Sequence, residues 1–127
     1  MLNKLQIIGH VGRDAESRFT PSGQQVTNFS VACSEEFVNS SGEKVKKTIW
    51  VRVQSWGKLA EIVGQYVKKG MLIYVEGKLI GDEKGNPKIF ETQTGHSSSF
   101  EMNAQTVKFL SKSEKVAAPE EQEDMPF

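Results

Sequence analysis

Apolar and polar residues alternate along most of this chain, the period of strands that bury one face and expose the other. A first strand is predicted over about Leu2 to Val11, with Leu5, Ile7, Gly9 and Val11 on one face. Gly12-Arg13-Asp14 turns the chain, and Ser17-Arg18-Phe19 reads as a short continuation before the Pro21-Ser22-Gly23 turn. The second strand, about Gln25 to Glu35, sets Thr27, Phe29, Val31 and Cys33 against Val26, Asn28, Ser30 and Ala32. Asn39-Ser40-Ser41-Gly42 has the composition of a hairpin tip. The third strand, about Val45 to Trp56, sets Ile49, Val51 and Val53 against Trp50, Arg52, Gln54 and Trp56.

One helical period follows. Between Lys58 and Lys69, residues Leu59, Ile62, Val63, Tyr66 and Val67 form a single apolar stripe. Lys68 and Lys69 suit the negative end of the helix, and Gly70 is the expected stop. Leu72 to Leu79 reads as the fourth strand and Asp82 to Pro87 as a loop. Lys88 to Thr94 reads as a short extended piece, Gly95 to Ser99 as a further turn, and Phe100 to Leu110 as the last strand. Five strands with one helix between the third and fourth predict an all-β class: an OB-fold, a Greek-key barrel with one α-helix. A doubly wound α/β fold needs a helix after nearly every strand and is excluded.

The length of 127 residues allows one domain and an appendage. Residues 1–110 are expected to be the barrel, 111–119 a short flexible linker, and 120–127 a disordered acidic peptide. Charge divides the same way. Residues 1–112 hold 15 Lys+Arg and 11 Asp+Glu, while residues 113–127 hold 1 Lys and 5 Asp+Glu, so the net charge of zero hides a basic body and an acidic tail. The tail closes with Glu120, Glu121, Glu123 and Asp124 running into Met125-Pro126-Phe127. An aromatic ring beside a terminal carboxylate suits a small pocket lined with Arg or Lys, which makes these residues candidates for docking protein partners. No apolar run approaches a membrane span, the N-terminus lacks the pattern of a secretory signal, and Cys33 is the lone cysteine. The expected compartment is the cell interior.

The third strand carries the candidate chemistry. Trp50 and Trp56 stand at i and i+6 with Arg52 between them, opposite a face that is already apolar. Aromatic rings stack on nucleobases with little regard to sequence, and interleaved cations neutralise phosphates. Phe37 and Phe90 are candidates to extend the stacking path. Lys4, Arg18, Lys44, Lys47, Arg52, Lys58 and Lys69 are the candidate phosphate contacts. The competing reading of either Trp is a plug at one end of the barrel. His10 and His96 are too few for a metal site, and neither a GxxxxGK[ST] loop nor a GxSxG turn occurs, so catalysis and cofactors are not expected.

The stretches NKLQIIGHVGRDAESRFTPSGQQVTNFSVA, TIWVRVQSWGKLAEIVGQYVKKG and YVEGKL, with the acidic MPF terminus, resemble the bacterial single-stranded DNA-binding protein family. The resemblance covers nearly the whole chain and implies an OB-fold that assembles as a homotetramer, wraps single-stranded DNA, and recruits replication, recombination and repair enzymes through the tail. It also implies a cytoplasmic, nucleoid-associated location and stacking roles for Phe37, Trp50, Trp56 and Phe90. Departures from the family pattern are Ile80 and Asp82 where many members carry Arg, and Val51 where a His is common. Two other readings stay open at this level: an OB-fold primosomal or RNA-binding accessory factor, and a protein-interaction OB module.

Overall fold

The structure, a computed structural model, describes residues 1–111. The expected linker beyond Ser111 and the acidic peptide 120–127 lie outside the described residues. In chain order the elements are β1 (Leu5–Val11), β2 (Glu16–Phe19), β3 (Gln25–Val38), β4 (Lys44–Trp56), α1 (Gly57–Tyr66), β5 (Leu72–Ile80), β6 (Ile89–Thr92), β7 (Gly95–Ser98) and β8 (Phe100–Phe109). Five of the strands close a barrel. β1 pairs with β5, β5 with β8, β8 with β4 and β4 with β3, and β3 returns to β1 through His10–Ala32 and Val11–Val31. Only β4–β8 is parallel. Closure requires the backbones of β1 and β3 to meet closely: a Cβ on Gly9 would stand 2.2 Å from the Ala32 carbonyl oxygen. The expected OB-type barrel with one helix between its third and fourth strands is therefore the observed architecture.

The core takes Phe29, Val31, Val51 and Val53 from the alternating faces, together with Val26, Ile73 and Val75, while Ile49 of the same alternation is exposed. The helix α1 seals one end of the barrel with Ala60 and Val63. Each fully buried aliphatic side chain contributes about 1.5–3 kcal/mol. The helix is pinned by a buried polar chain: Thr27 Oγ1 donates to the Ala60 carbonyl at 2.7 Å, and Ser55 Oγ donates to the Thr27 carbonyl at 3.0 Å.

Several elements differ from the sequence expectation; β3, for one, runs on to Val38, past the expected end at Glu35. β1 starts at Leu5, not Leu2. The helix ends at Tyr66, three residues before Lys69, so Lys68 and Lys69 follow it and do not complement its dipole. Val67 leaves the helix with an extended backbone (φ −76°, ψ 119°) and is wholly buried. Tertiary contacts then take the backbone groups that another helical turn would have used. Lys69 N–H donates to Asp14 Oδ1 at 2.9 Å, and Gly70, at φ +91°, donates its N–H to the Val11 carbonyl at 2.8 Å. Finally, Gly95 to Ser98 is not a turn but strand β7, hairpinned onto β6. Its small polar residues read as a loop because nothing local reveals the partner that supplies its hydrogen bonds.

Candidate nucleic-acid interface

Strand alternation puts Trp50, Arg52, Gln54 and Trp56 outside the barrel while Val51, Val53 and Ser55 point in. Trp50 is 53% exposed and Trp56 39%, so neither plugs the barrel. Register then assembles a face from four strands. Ala32, Ser30, Asn28 and Val26 of β3 lie beside Trp50, Arg52, Gln54 and Trp56 respectively. On one side β8 adds Glu101 beside Arg52 and Asn103 beside Gln54. On the other, β2 adds Glu16 beside Asn28 and Arg18 beside Val26. The result is two indoles about 20 Å apart along β4, separated by a guanidinium and a row of amides. A cleft of about 100 Å³ opens in this face, lined by Arg13, Glu16, Asn28, Ser30 and Arg52. The Asn28 side chain lines it, and its buried Oδ1 has no hydrogen-bond partner among the described residues.

Both indoles are held. The Trp50 ring lies on Gly12, where an added Cβ would stand 2.4 Å from ring carbon Cζ3. Trp56 Nε1–H donates to Asn103 Oδ1 at 3.0 Å.

The β6–β7 hairpin folds onto the same face. Arg52 Cζ lies 5.8 Å from the centroid of the Phe90 ring, within range of a cation–π contact. Lys88 Nζ lies 3.6 Å from Glu101 Oε1, and Glu101 is a buried carboxylate, 3% exposed. Ser99 Oγ donates to its other oxygen at 3.4 Å.

The remaining candidates divide. Lys58 follows Trp56 at the start of α1 and is exposed, and Arg18 shares a row with Trp56. Beyond Cys33 the β3–β4 ribbon continues as an arm whose side chains are mostly exposed, including Ile49 at 42%. Lys44 has the strand parity of Trp50 on this arm. Phe37 and Lys47 have the opposite parity, so the structure does not bring them onto the indole face. Lys69 sits in the α1–β5 turn, held by Asp14. Lys4 stands apart on the β1–β5 side, its ammonium 2.8 Å from Glu76. The Lys4 ammonium, together with the Tyr74 hydroxyl donating at 2.6 Å, pulls the Glu76 carboxyl down from 4.5 to about 2. Glu76 in turn raises the Lys4 ammonium above its ordinary value.

Gly12, Asn28, Glu101 and Asn103 belong to the face but were not singled out from the sequence. The alternation of Asn28 and Ser30 with Phe29 and Val31 puts the two pairs on opposite faces of the strand. The pairing of β8 with β4, which delivers Glu101 and Asn103, leaves no local trace.

Among the described residues no helix is long and apolar enough to cross a membrane. A profile of the Single-strand binding protein family matches residues 2–110. The chain is 54% identical over 78 residues to Single-stranded DNA-binding protein 1 of Chlorobaculum tepidum, a match covering 61% of this chain and 48% of that protein. It is 50% identical over 78 residues to the Single-stranded DNA-binding protein of Neisseria meningitidis serogroup A, covering 61% and 45%. The chain thus spans about half the length of the curated relatives it matches. A crystal structure of a deletion mutant of the single-stranded DNA binding protein from Thermus aquaticus superposes with a TM-score of 0.68 at 27% identity, over 87% of this chain and 51% of the other. The structure of a Plasmodium falciparum SSB complex with ssDNA has the same fold, with a TM-score of 0.72 at 24% identity over 87% and 97%. With a family profile matched from residue 2 to residue 110, this chain belongs to the single-strand binding protein family.

Proposed function

We propose that the chain binds single-stranded DNA along its outer β3–β4 face, without sequence preference in the stacking contacts. The observation that carries this reading is the placement of Trp50 and Trp56, both exposed on one strand face with Arg52 between them. A duplex hides the faces of its bases, whereas an unpaired strand offers them to aromatic platforms. Phe90 extends the path over Arg52, and Phe37 lies on the projecting arm. Arg18, Lys44, Arg52, Lys58 and Lys69 supply cations that neutralise phosphates, while Lys47, of opposite strand parity, and Lys4, paired with Glu76, lie off this face. The names of the relatives agree with this reading. Titration with oligo-dT at low salt tests it. Indole emission is expected to be quenched, with log affinity falling linearly as log salt rises. Trp56→Ala is expected to weaken binding to oligo-dT and to mixed sequence by a similar factor, at roughly 1–3 kcal/mol per lost stack. Absence of quenching, or salt-independent binding, overturns the reading.

The same proposal includes assembly and partners. β1 pairs with β5 from Leu5 to His10 but with β3 only at His10 and Val11. Its other edge from Leu5 to Ile8 has no strand partner among the described residues and is open to a second copy. A homotetramer lines several such faces into one continuous path, protecting the strand. The acidic peptide from Glu120 to Phe127 recruits replication, recombination and repair proteins to that path inside the cell.

A further inference from the structure

The two indoles of the interface are held by different means. Trp50 is seated by shape, on the bare backbone of Gly12. Trp56 is held through its one polar atom, the Nε1–H that donates to Asn103 Oδ1 at 3.0 Å. Asn103 is a rigid anchor for such a bond, because its backbone is paired on both sides, with Gln54 of β4 and with Lys78 of β5. Trp56 itself ends β4 and caps α1 with an extended backbone, so its own chain direction is also set. At 39% exposure packing covers only part of the residue, and the bond adds a directional restraint on its two side-chain torsions.

We propose that Asn103 is a positioning residue for the Trp56 platform, an inference that rests on the single-stranded DNA reading of this face. Two consequences follow from the geometry. The clamp orders the ring before the ligand arrives, so binding does not bear the cost of immobilising it. It also occupies the indole N–H, the one donor with which this ring could discriminate among base edges. What remains for the ligand is the π-face, which every base can use. Asn103 thereby makes the Trp56 contact both firm and indifferent to sequence.

The test separates a clamp from a direct DNA contact. The chain has 2 tryptophans, so Trp50→Phe leaves Trp56 as the sole indole. In that background Asn103→Ala is expected to increase the rotational freedom of the indole in time-resolved fluorescence anisotropy. In the otherwise native chain, Asn103→Ala is expected to lower affinity for labelled oligo-dT by about three- to tenfold, the effect of having to order one side chain on binding. In a Trp56→Phe background, which has no N–H to clamp, the same substitution is expected to change affinity by less than about twofold. An equal loss in both backgrounds shows Asn103 touching the strand itself and overturns the proposal. Unchanged anisotropy with unchanged affinity overturns it as well. Failure of the native chain to bind oligo-dT overturns the reading of the face, and the proposal with it.

Discussion

Which residues face out of the barrel was legible wherever strand alternation alone decides it. Val51 and Val53 in, Trp50, Arg52 and Trp56 out, is a statement about period two, and burial agrees at every one of these positions. What the linear pattern does not contain is the neighbour across the sheet. Gly12 illustrates this: it reads as a turn residue, yet its place in space is under the Trp50 ring. Its backbone is not in the left-handed region, so Ala at this position is compatible with the local conformation. The added methyl must nonetheless displace the ring, since Cζ3 would be 2.4 Å away. Gly12→Ala is therefore expected to leave the fold intact while weakening oligo-dT binding by up to about tenfold, part of one stacking contact. Paired measurements of thermal unfolding and oligo-dT quenching check this; an unchanged affinity would show that the seat is dispensable.

At the level of elements, the helix and the five barrel strands were legible because each carries its own period. The early end of α1 was not, since Val67 is drawn inward by the core and Asp14, far back in sequence, captures the Lys69 N–H. β7 escaped notice for a related reason, as its four exposed residues gain order from β6 and not from any apolar face. The pairing of β1 with β5 also changes the expected role of Lys4, a residue read as a phosphate contact. Here it joins Glu76, Tyr74 and Gln6 in a cross-strand network. This has a pH signature. The Glu76 carboxyl titrates at about 2 in the fold against an ordinary 4.5, so the folded state favours its charged form. The stabilisation is present above the ordinary value and is lost as pH falls from 4.5 toward about 2. Glu76→Gln removes it. The gap in melting temperature between the native chain and this variant is expected to be constant near neutrality and to narrow once pH drops below about 4.5. A gap of the same size near pH 3, followed by circular dichroism, would show that the Lys4–Glu76 pair contributes nothing to the pH dependence.

For the whole molecule, the division into a basic body and an acidic end was visible in charge alone, before any strand was placed. Barrel closure was visible only as a fold class, because β3 meets β1 through just two residue pairs and no local pattern announces them. The open edge of β1 carries the assembly prediction: sedimentation equilibrium at micromolar protein is expected to give a species four times the 14.2 kDa chain, and a monomer would remove that part of the proposal. The acidic end carries the last. Its carboxylates, Glu120, Glu121, Glu123 and Asp124, are expected to be attracted to the cations proposed to neutralise phosphates, an attraction that salt screens. Under the proposed function, bound DNA is expected to compete for those cations and to release the peptide, coupling occupancy of the face to availability of the tail through charge. Docking to a partner is then expected to rely on the Phe127 ring. Deleting Glu120 to Phe127 is expected to leave oligo-dT affinity unchanged at high salt and slightly raised at low salt, and to abolish capture of replication and repair enzymes. A truncated chain that still captures the same enzymes, or that loses DNA binding outright, contradicts a tail that competes for the face and recruits when displaced.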